Sequence, residues 1–185
     1  MELCTGRPDD CTGRIPQELR CYHFLDKLGV AYSRIDHEAA DTMEVCQERA
    51  AALHTRICKN LFLCNRQETA FYLLVMPADK SFKTSVVSGQ LGVARLHFAD
   101  EKYMARFLDL HPGSVSILGL MNDREHRVRL LMDGDLREQE YFACHPCINT
   151  SSLKFKTAEL FEKVIPAMEH EPTFISLSDC LVKAR

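Results

Sequence analysis

The sequence predicts a single α+β domain in which helices pack around a mixed, mostly antiparallel β-sheet. Strand-like and helix-like runs are interspersed without a regular βαβ alternation. Two apolar runs, Ile57 to Cys64 and Phe71 to Met76, flank the polar turn Asn65 to Thr69 and read as a hairpin. The 185 residues, 46% of them hydrophobic and 26% charged, suffice to bury one core without staples. No repeat, linker or low-complexity tract divides the chain.

Residues 1–15 are turn-rich and predict a loose lead-in, with the domain proper over 16–185. Leu19, Tyr22, Leu25 and Leu28 share one helical face, and Gly29 offers a left-handed stop. Val30 to Ile35 reads as a strand. Asp41-Thr42-Met43-Glu44 resembles a capping box ahead of a helix from Met43 to Leu53. After the hairpin come a helix over Ser85 to Leu91 ended by Gly92, a strand at Arg95 to Phe98, and a helix from Glu101 to Leu110. Val115 to Leu118, Val128 to Met132 and Tyr141 to Cys144 are strand candidates, with Gly119 to Asp123 a turn between the first two. Thr157 to Val164 predicts a helix and Thr173 to Leu177 a final strand.

The formal net charge is −3, so no overall positive field marks a protein that coats nucleic acid. A grip on one strand end through local contacts stays open; Lys80, Lys83, Arg124 and Arg127 are candidates for phosphate contacts. Nine cysteines are many, but the number is odd and the spacing irregular, which fits free thiols in a reducing compartment. Met1 to Arg20 is polar, without an apolar run of signal length. No segment approaches the ~20 apolar residues of a membrane helix. The expectation is a cytoplasmic protein without a membrane partner.

Three chemistries are weak here. Cys144-His145-Pro146-Cys147 is a C-x-x-C, but no helix pattern opens at it to lower a thiol pKa. Zinc would need three or four ligands, and no second paired motif completes a set around these residues. No G-x-S-x-G elbow supports a serine nucleophile. A fourth reading joins several segments. Lys59 heads the apolar run Lys59-Asn60-Leu61-Phe62-Leu63, where a charge is costly unless it faces a cleft. Pro112-Gly113-Ser114-Val115-Ser116 follows a helix and can expose backbone N–H groups. Gly119-Leu120-Met121-Asn122-Asp123 and His145-Pro146-Cys147-Ile148-Asn149-Thr150 are further loop segments that could line one pocket.

Taken in order, these segments resemble the YbaK/ProX-type aminoacyl-tRNA deacylases, freestanding relatives of the editing domain inserted in bacterial prolyl-tRNA synthetases. Asp36-His37-Glu38 to Thr42 and His170-Glu171-Pro172-Thr173-Phe174 look similar as well, so the likeness spans roughly Pro16 to Leu177. It is strongest to the ProX-like branch, which deacylates alanyl-tRNA(Pro). Ile117 departs from the family pattern, which has proline there.

The resemblance implies the editing-domain fold and a trans-editing hydrolase that takes the acceptor 3′ end of an aminoacyl-tRNA and needs no cofactor or metal. Prolyl-tRNA synthetase is a second candidate partner. Lys59 aligns with the pocket lysine that fixes the terminal adenosine or its phosphate and the aminoacyl group, with Asn60 beside it. Gly113, Ser114 and Val115 align with the loop that orients the substrate carbonyl. His145 aligns with the histidine bordering the pocket, and Asn149 and Thr150 with the polar pair after it. Lys59, Gly113 and His145 are thus the catalytic candidates; Asn60, Ser114, Val115, Asn149 and Thr150 are the substrate-binding ones. The substrate expected is alanyl-tRNA(Pro). Cysteinyl-tRNA(Pro), or a non-catalytic adaptor for tRNA or synthetase, are the alternatives.

Overall fold

The computed structural model describes residues 1–39 and 43–179. Asp41 and Thr42 of the expected capping box lie outside the described residues. The chain begins with a two-residue strand, β1 (Cys4–Thr5), inside the segment expected to be a loose lead-in. Helix α1 (Pro16–Lys27) starts with proline in its first turn, where the missing N–H costs nothing, and Gly29 follows it at φ 62°. Strand β2 (Tyr32–Asp36) leads toward α2 (Met43–Leu53).

The hairpin β3 (Cys58–Cys64) and β4 (Phe71–Pro77) turns on Asn65, whose side-chain oxygen accepts from the backbone N–H groups of Thr69 and Ala70. Next come α3 (Thr84–Leu91), stopped by left-handed Gly92, the short β5 (His97–Phe98), and α4 (Glu101–Leu108), capped by the Asp100 side chain. A 3-10 helix at Ile117–Asn122 leads to β6 (Val128–Asp133) and a second at Gly134–Glu138 leads to β7 (Tyr141–Cys144). Strand β8 (Ser151–Lys156) precedes a helical stretch that passes through a π-helical turn at Leu160–Val164, and β9 (Thr173–Ile175) closes the order.

The strands divide into two sheets where the sequence suggested one. The first, in the order β1-β2-β8-β7, is antiparallel throughout; the second, β5-β3-β4-β6-β9, is mixed, with β6 parallel to both β4 and β9. Strand β4 is covered on both faces. Phe71, Leu73 and Val75 join the main core with Tyr22, Leu25, Phe142 and Phe155, while Tyr72, Leu74 and Met76 join a second cluster with Leu63 and Leu131. Coverage on both faces explains the unbroken apolar run, since no position alternates toward water. Each such fully buried side chain contributes about 1.5–3 kcal/mol.

Two expectations are corrected. Val115 to Leu118 is not a strand: the Ser116 side chain accepts from the Leu118 N–H at 3.2 Å and caps the 3-10 helix that Ile117 opens. Ile117 is fully buried at the first helical position, a place where proline is equally at home. Lys80 is not a surface phosphate contact. Its ammonium is buried and lies 2.7 Å from both Asp133 Oδ1 and Asp135 Oδ2. Burial alone would lower its pKa, but the two carboxylates outweigh that and raise it.

The glycine of Gly119-Leu120-Met121-Asn122-Asp123 is there for space. A Cβ on Gly119 would stand 2.6 Å from Leu110 Cδ1 and 3.3 Å from Leu108 Cβ. The aspartate of that motif shapes the chain as well: Asp123 accepts from the N–H groups of Arg127 and Val128 and pairs with His170 at 3.2 Å.

Candidate active site

Two loops meet beside the first sheet. Gly113 sits at φ 84° in the turn after α4, a left-handed conformation that favours glycine. A Cβ placed there would lie 3.5 Å from Asn149 Nδ2, so the exposed glycine backbone faces the loop that follows β7. A second tie lies deeper, where the Ser116 hydroxyl donates to the His145 carbonyl at 2.5 Å. The structure therefore sets Gly113 against Asn149 and ties Ser116 to the His145 backbone, while Val115 and Thr150 are not joined across the two loops by any contact among the described residues.

Not every candidate side chain is available. The Ser114 hydroxyl bonds the His111 carbonyl at 2.8 Å and accepts from the His111 N–H at 3.1 Å, closing the turn. The Ser114 backbone N–H is also taken up by the His111 carbonyl. Val115 packs against the main core. These two residues have turn and packing roles, which leaves backbone as their means of touching a ligand. Beside them lies a cavity of about 190 Å³ bordered by Gln17, Leu110, Pro112, Ser114, Cys147 and Asn149.

The His145 ring is oriented by its own loop. Its Nδ1 lies 2.8 Å from the Ser151 carbonyl, which can only accept, so Nδ1 carries the proton and Nε2 is the acceptor in the neutral ring. Opposite it, at 6.1 Å between ring centres, stands His37, which was not among the candidate site residues. His37 donates from its backbone N–H to the Thr150 carbonyl at 2.9 Å, and its Nε2 lies 2.8 Å from Ser152 Oγ. Burial lowers the His37 pKa and favours its neutral form at pH 7. The signal for His37 was its place in Asp36-His37-Glu38 at the end of a strand; for Ser116 it was only the last letter of the P-G-S-V-S loop.

Strand β2 is braced next to this pair. Burial would raise the Asp36 pKa, but the Arg14 and Arg34 guanidiniums outweigh it and hold the carboxyl well below the usual range. Arg14 also pairs with buried Glu18 of α1, which tethers the N-terminal segment to the sheet end carrying His37.

Lys59 stands exposed at the second position of β3, and among the described residues no ion pair holds its ammonium. Its neighbour Cys58 faces the Ala143 backbone of β7. Side chains alternate along a strand, so Lys59, paired with Met76, lies on the opposite face, that of the second cluster. Its side chain is not brought to the Gly113 and His145 loops by any contact among the described residues. Asn60 is half-buried, and its side-chain oxygen is buried with no hydrogen-bond partner among the described residues.

The C-x-x-C thiols are core groups. Cys144 and Cys147 are buried, and burial pushes Cys144 well above the ordinary thiol pKa, as it pushes Cys58 up to about 12. A thiol held protonated is a poor nucleophile. Among the described residues no three His, Cys, Asp or Glu side chains converge as a metal-binding group, and no helix is long and apolar enough to cross a membrane.

The aminoacyl-tRNA editing domain family matches residues 37–163, from His37 through both loops and beyond. The chain belongs to that family. Among its relatives is the prolyl-tRNA editing protein ProX of Acetoanaerobium sticklandii, 29% identical over 143 residues covering 77% of this chain and 87% of that protein. The prolyl-tRNA synthetase associated domain-containing protein 1 of Danio rerio is 26% identical over 155 residues, 83% of each chain. Among solved structures, a candidate trans-editing enzyme for prolyl tRNA synthetase superposes with a TM-score of 0.65 over 90% of this chain and 99% of that one. At 14% identity that likeness concerns the fold. As a member of the editing-domain family the chain has the α+β architecture of helices around mostly antiparallel sheets.

Proposed function

We propose that this editing domain is a freestanding hydrolase that removes wrongly attached amino acids from tRNA(Pro), with alanyl-tRNA(Pro) as its main substrate. The observation that carries the reading is the apposition of Gly113 to Asn149, with Ser116 and His145 joined beneath them. It supplies a bare backbone turn and an oriented histidine at one place, on the stretch matched by the family. The relatives named for prolyl-tRNA editing supply the choice of tRNA.

The bond to be broken is the ester between amino acid and terminal ribose. An ester is already activated, so the protein needs to orient water, accept a proton and stabilise the developing oxyanion. The Ser114 N–H is spent on His111, which leaves the Gly113 and Val115 N–H groups as donors to the substrate carbonyl. His145 borders the ester with its ring held by the Ser151 carbonyl, and the neighbouring ribose hydroxyl positions and helps activate the attacking water. The orphan Asn60 oxygen, on the Cys58 side of β3, is open to a hydrogen bond from the ligand. Lys59, exposed at the start of the strand on its other face, would have to reach round the strand end to hold the terminal nucleotide or its phosphate. Asn149 and Thr150 line the far side.

The cavity of about 190 Å³ beside Ser114 and Asn149 admits a small aminoacyl side chain, but at that size it would admit proline too, so the choice of alanine rests on the family resemblance. Separating alanine from a residue of nearly equal size rests on a methyl group's worth of packing, roughly 10–200-fold. Acting on the acceptor 3′ end of tRNA, the protein works in the cytoplasm, alongside prolyl-tRNA synthetase.

The test is side-by-side incubation with labelled alanyl-, cysteinyl- and prolyl-tRNA(Pro), following release of the amino acid. Alanine should be released fastest and proline spared. Release from none of the three, with tRNA still bound, would make the chain an adaptor. Faster release of cysteine would reassign the substrate.

A further inference from the structure

Beyond the ester site, α1 forms one wall of a second depression of about 510 Å³, walled opposite by the Ile117–Asn122 helix with the turn after it, and by Ala167 to Glu169. The cationic and titratable side chains facing it are Arg20, His23 and Lys27 from α1, and Arg124 and His126 from the turn. Two acids border it as well. Asp123 is buried and spent on the Arg127 and Val128 N–H groups and His170, and Glu169 lies 3.6 Å from His126. Lys27 and Arg124 are exposed, and among the described residues neither enters an ion pair. The lining carries three cations against two acids, and with Arg20 paired to Asp109 the positive charge left free in this concave surface is that of Lys27 and Arg124.

Helix α1 and Asp109 link the trough to the ester site. Gln17 of α1 borders the small cavity beside Ser114 and Asn149, and its amide lies 3.4 Å from Asp109 Oδ1. Arg20, one turn further on, pairs with the same Asp109 and opens the trough. From Arg20 to Lys27 the helix advances about 10 Å at ~1.5 Å per residue. A surface of that length spans several phosphates of one strand of an A-form RNA stem.

We infer that this trough is the seat of the phosphate backbone of the tRNA acceptor stem, leading away from the 3′ end held at Gly113 and His145. The inference rests on the hydrolase reading above, because the direction of the strand is set by where its end is bound. Contacts to phosphates position a nucleic acid without reading its bases, so the trough contributes affinity and register and leaves tRNA identity to other contacts.

The experiment measures binding of an uncharged tRNA(Pro) transcript as a function of salt for the full chain and for Lys27→Gln/Arg124→Gln, both exposed positions. A matching thermal unfolding midpoint checks that the fold is kept. Loss of two phosphate contacts should reduce the slope of log affinity against log salt by about 1.4–1.8, at ~0.7–0.9 per contact. A Lys27→Glu/Arg124→Glu variant should weaken binding further. In turnover of alanyl-tRNA(Pro), KM should rise while kcat stays close to that of the parent. An unchanged salt slope in both variants overturns the trough, as does a parent protein whose tRNA binding ignores salt. The binding measurement needs no hydrolysis: a salt-sensitive trough in a protein that releases no amino acid would sustain this inference and overturn the enzymatic reading instead.

Discussion

Ser116 and His145 are joined by a hydrogen bond of 2.5 Å from the serine hydroxyl to the histidine carbonyl, and the same hydroxyl accepts from Leu118 N–H. One fully buried side chain thus caps a helix and fixes the loop that bears the candidate histidine. Ser116→Ala removes both contacts. Losing the cap costs about 0.5–2 kcal/mol, and a net hydrogen bond about 0.5–1.5 kcal/mol. The expected sum is about 1–3.5 kcal/mol in urea unfolding. Activity should fall further than stability alone explains, because the His145 loop loses its anchor to the Gly113 turn. Parent-like kcat/KM in a folded variant would show that the two loops work independently.

Gly113→Ala tests the bare turn. At φ 84° an L side chain is strained by about 1–2 kcal/mol, and the new methyl would stand 3.5 Å from the Asn149 amide. The site is exposed, so the chain should still fold with a slightly lower midpoint. Deacylation should drop by roughly 10²–10³, the usual cost of spoiling an oxyanion donor. A fall in stability without a fall in kcat would make Gly113 a turn residue only.

The fold was legible where a strand or helix declares itself locally. Strands β3 and β4 are apolar runs because sheet contacts cover them, and α1 and α3 end at glycines that adopt the left-handed conformation. Strand β8 was missed because Ser151, Ser152 and Lys154 hide its alternation. Its serines are buried only because Ile35 and His37, far away in sequence, take their hydrogen bonds. Val115 to Leu118 carries strand-like residues, and a single serine cap turns it into a 3-10 helix. Lys80 looked solvated because its partners, Asp133 and Asp135, arrive from another strand end. The loops of the candidate site were legible through their ordered motifs, but the bond between them was not, and neither was the pairing of His37 with His145.

Lys59→Ala separates a binding role from a structural one. The side chain is exposed on β3 and, among the described residues, forms no ion pair, so its removal should change stability by no more than about 0.5 kcal/mol. Hydrolysis of alanyl-tRNA(Pro) should be abolished, measured under single-turnover conditions. Undiminished turnover would remove Lys59 from the site and leave the loop pair to act without it.

The buried Lys80–Asp133 pair should be a stability determinant. Asp133 is fully buried and also accepts from the N–H groups of Asp135 and Leu177, so it ties the C-terminal segment to β6. Breaking a buried pair by removing one partner costs about 3–5 kcal/mol where the other charge is left alone. Here Asp135 still stands 2.7 Å from the ammonium and offsets part of that, while the lost N–H contacts add to it. Asp133→Ala should therefore lower the urea midpoint strongly. Replacing both partners, Lys80→Met with Asp133→Leu, should recover part of the loss; equal loss in the single and double variants would mean that the backbone contacts dominate.

The Asp123–His170 contact predicts how stability depends on pH. Burial would lower the His170 pKa, but the Asp123 carboxylate outweighs it and raises the value above the ordinary ~6.5. A raised histidine stabilises fully below its unfolded value, and the contribution disappears as pH climbs through the folded value. Asp123 runs the other way. Burial would raise it, but the hydrogen bond from His170 outweighs that and lowers it, so its contribution is present above ~3.8 and lost as pH falls through the lower folded value. The pair should thus be strongest between those limits. In urea unfolding across pH 5 to 9, the parent should lose stability above pH ~6.5 relative to His170→Gln, and the difference between them should shrink as the histidine discharges. A constant difference across that range would mean that His170 holds Asp123 as a neutral donor and carries no charge in the folded protein.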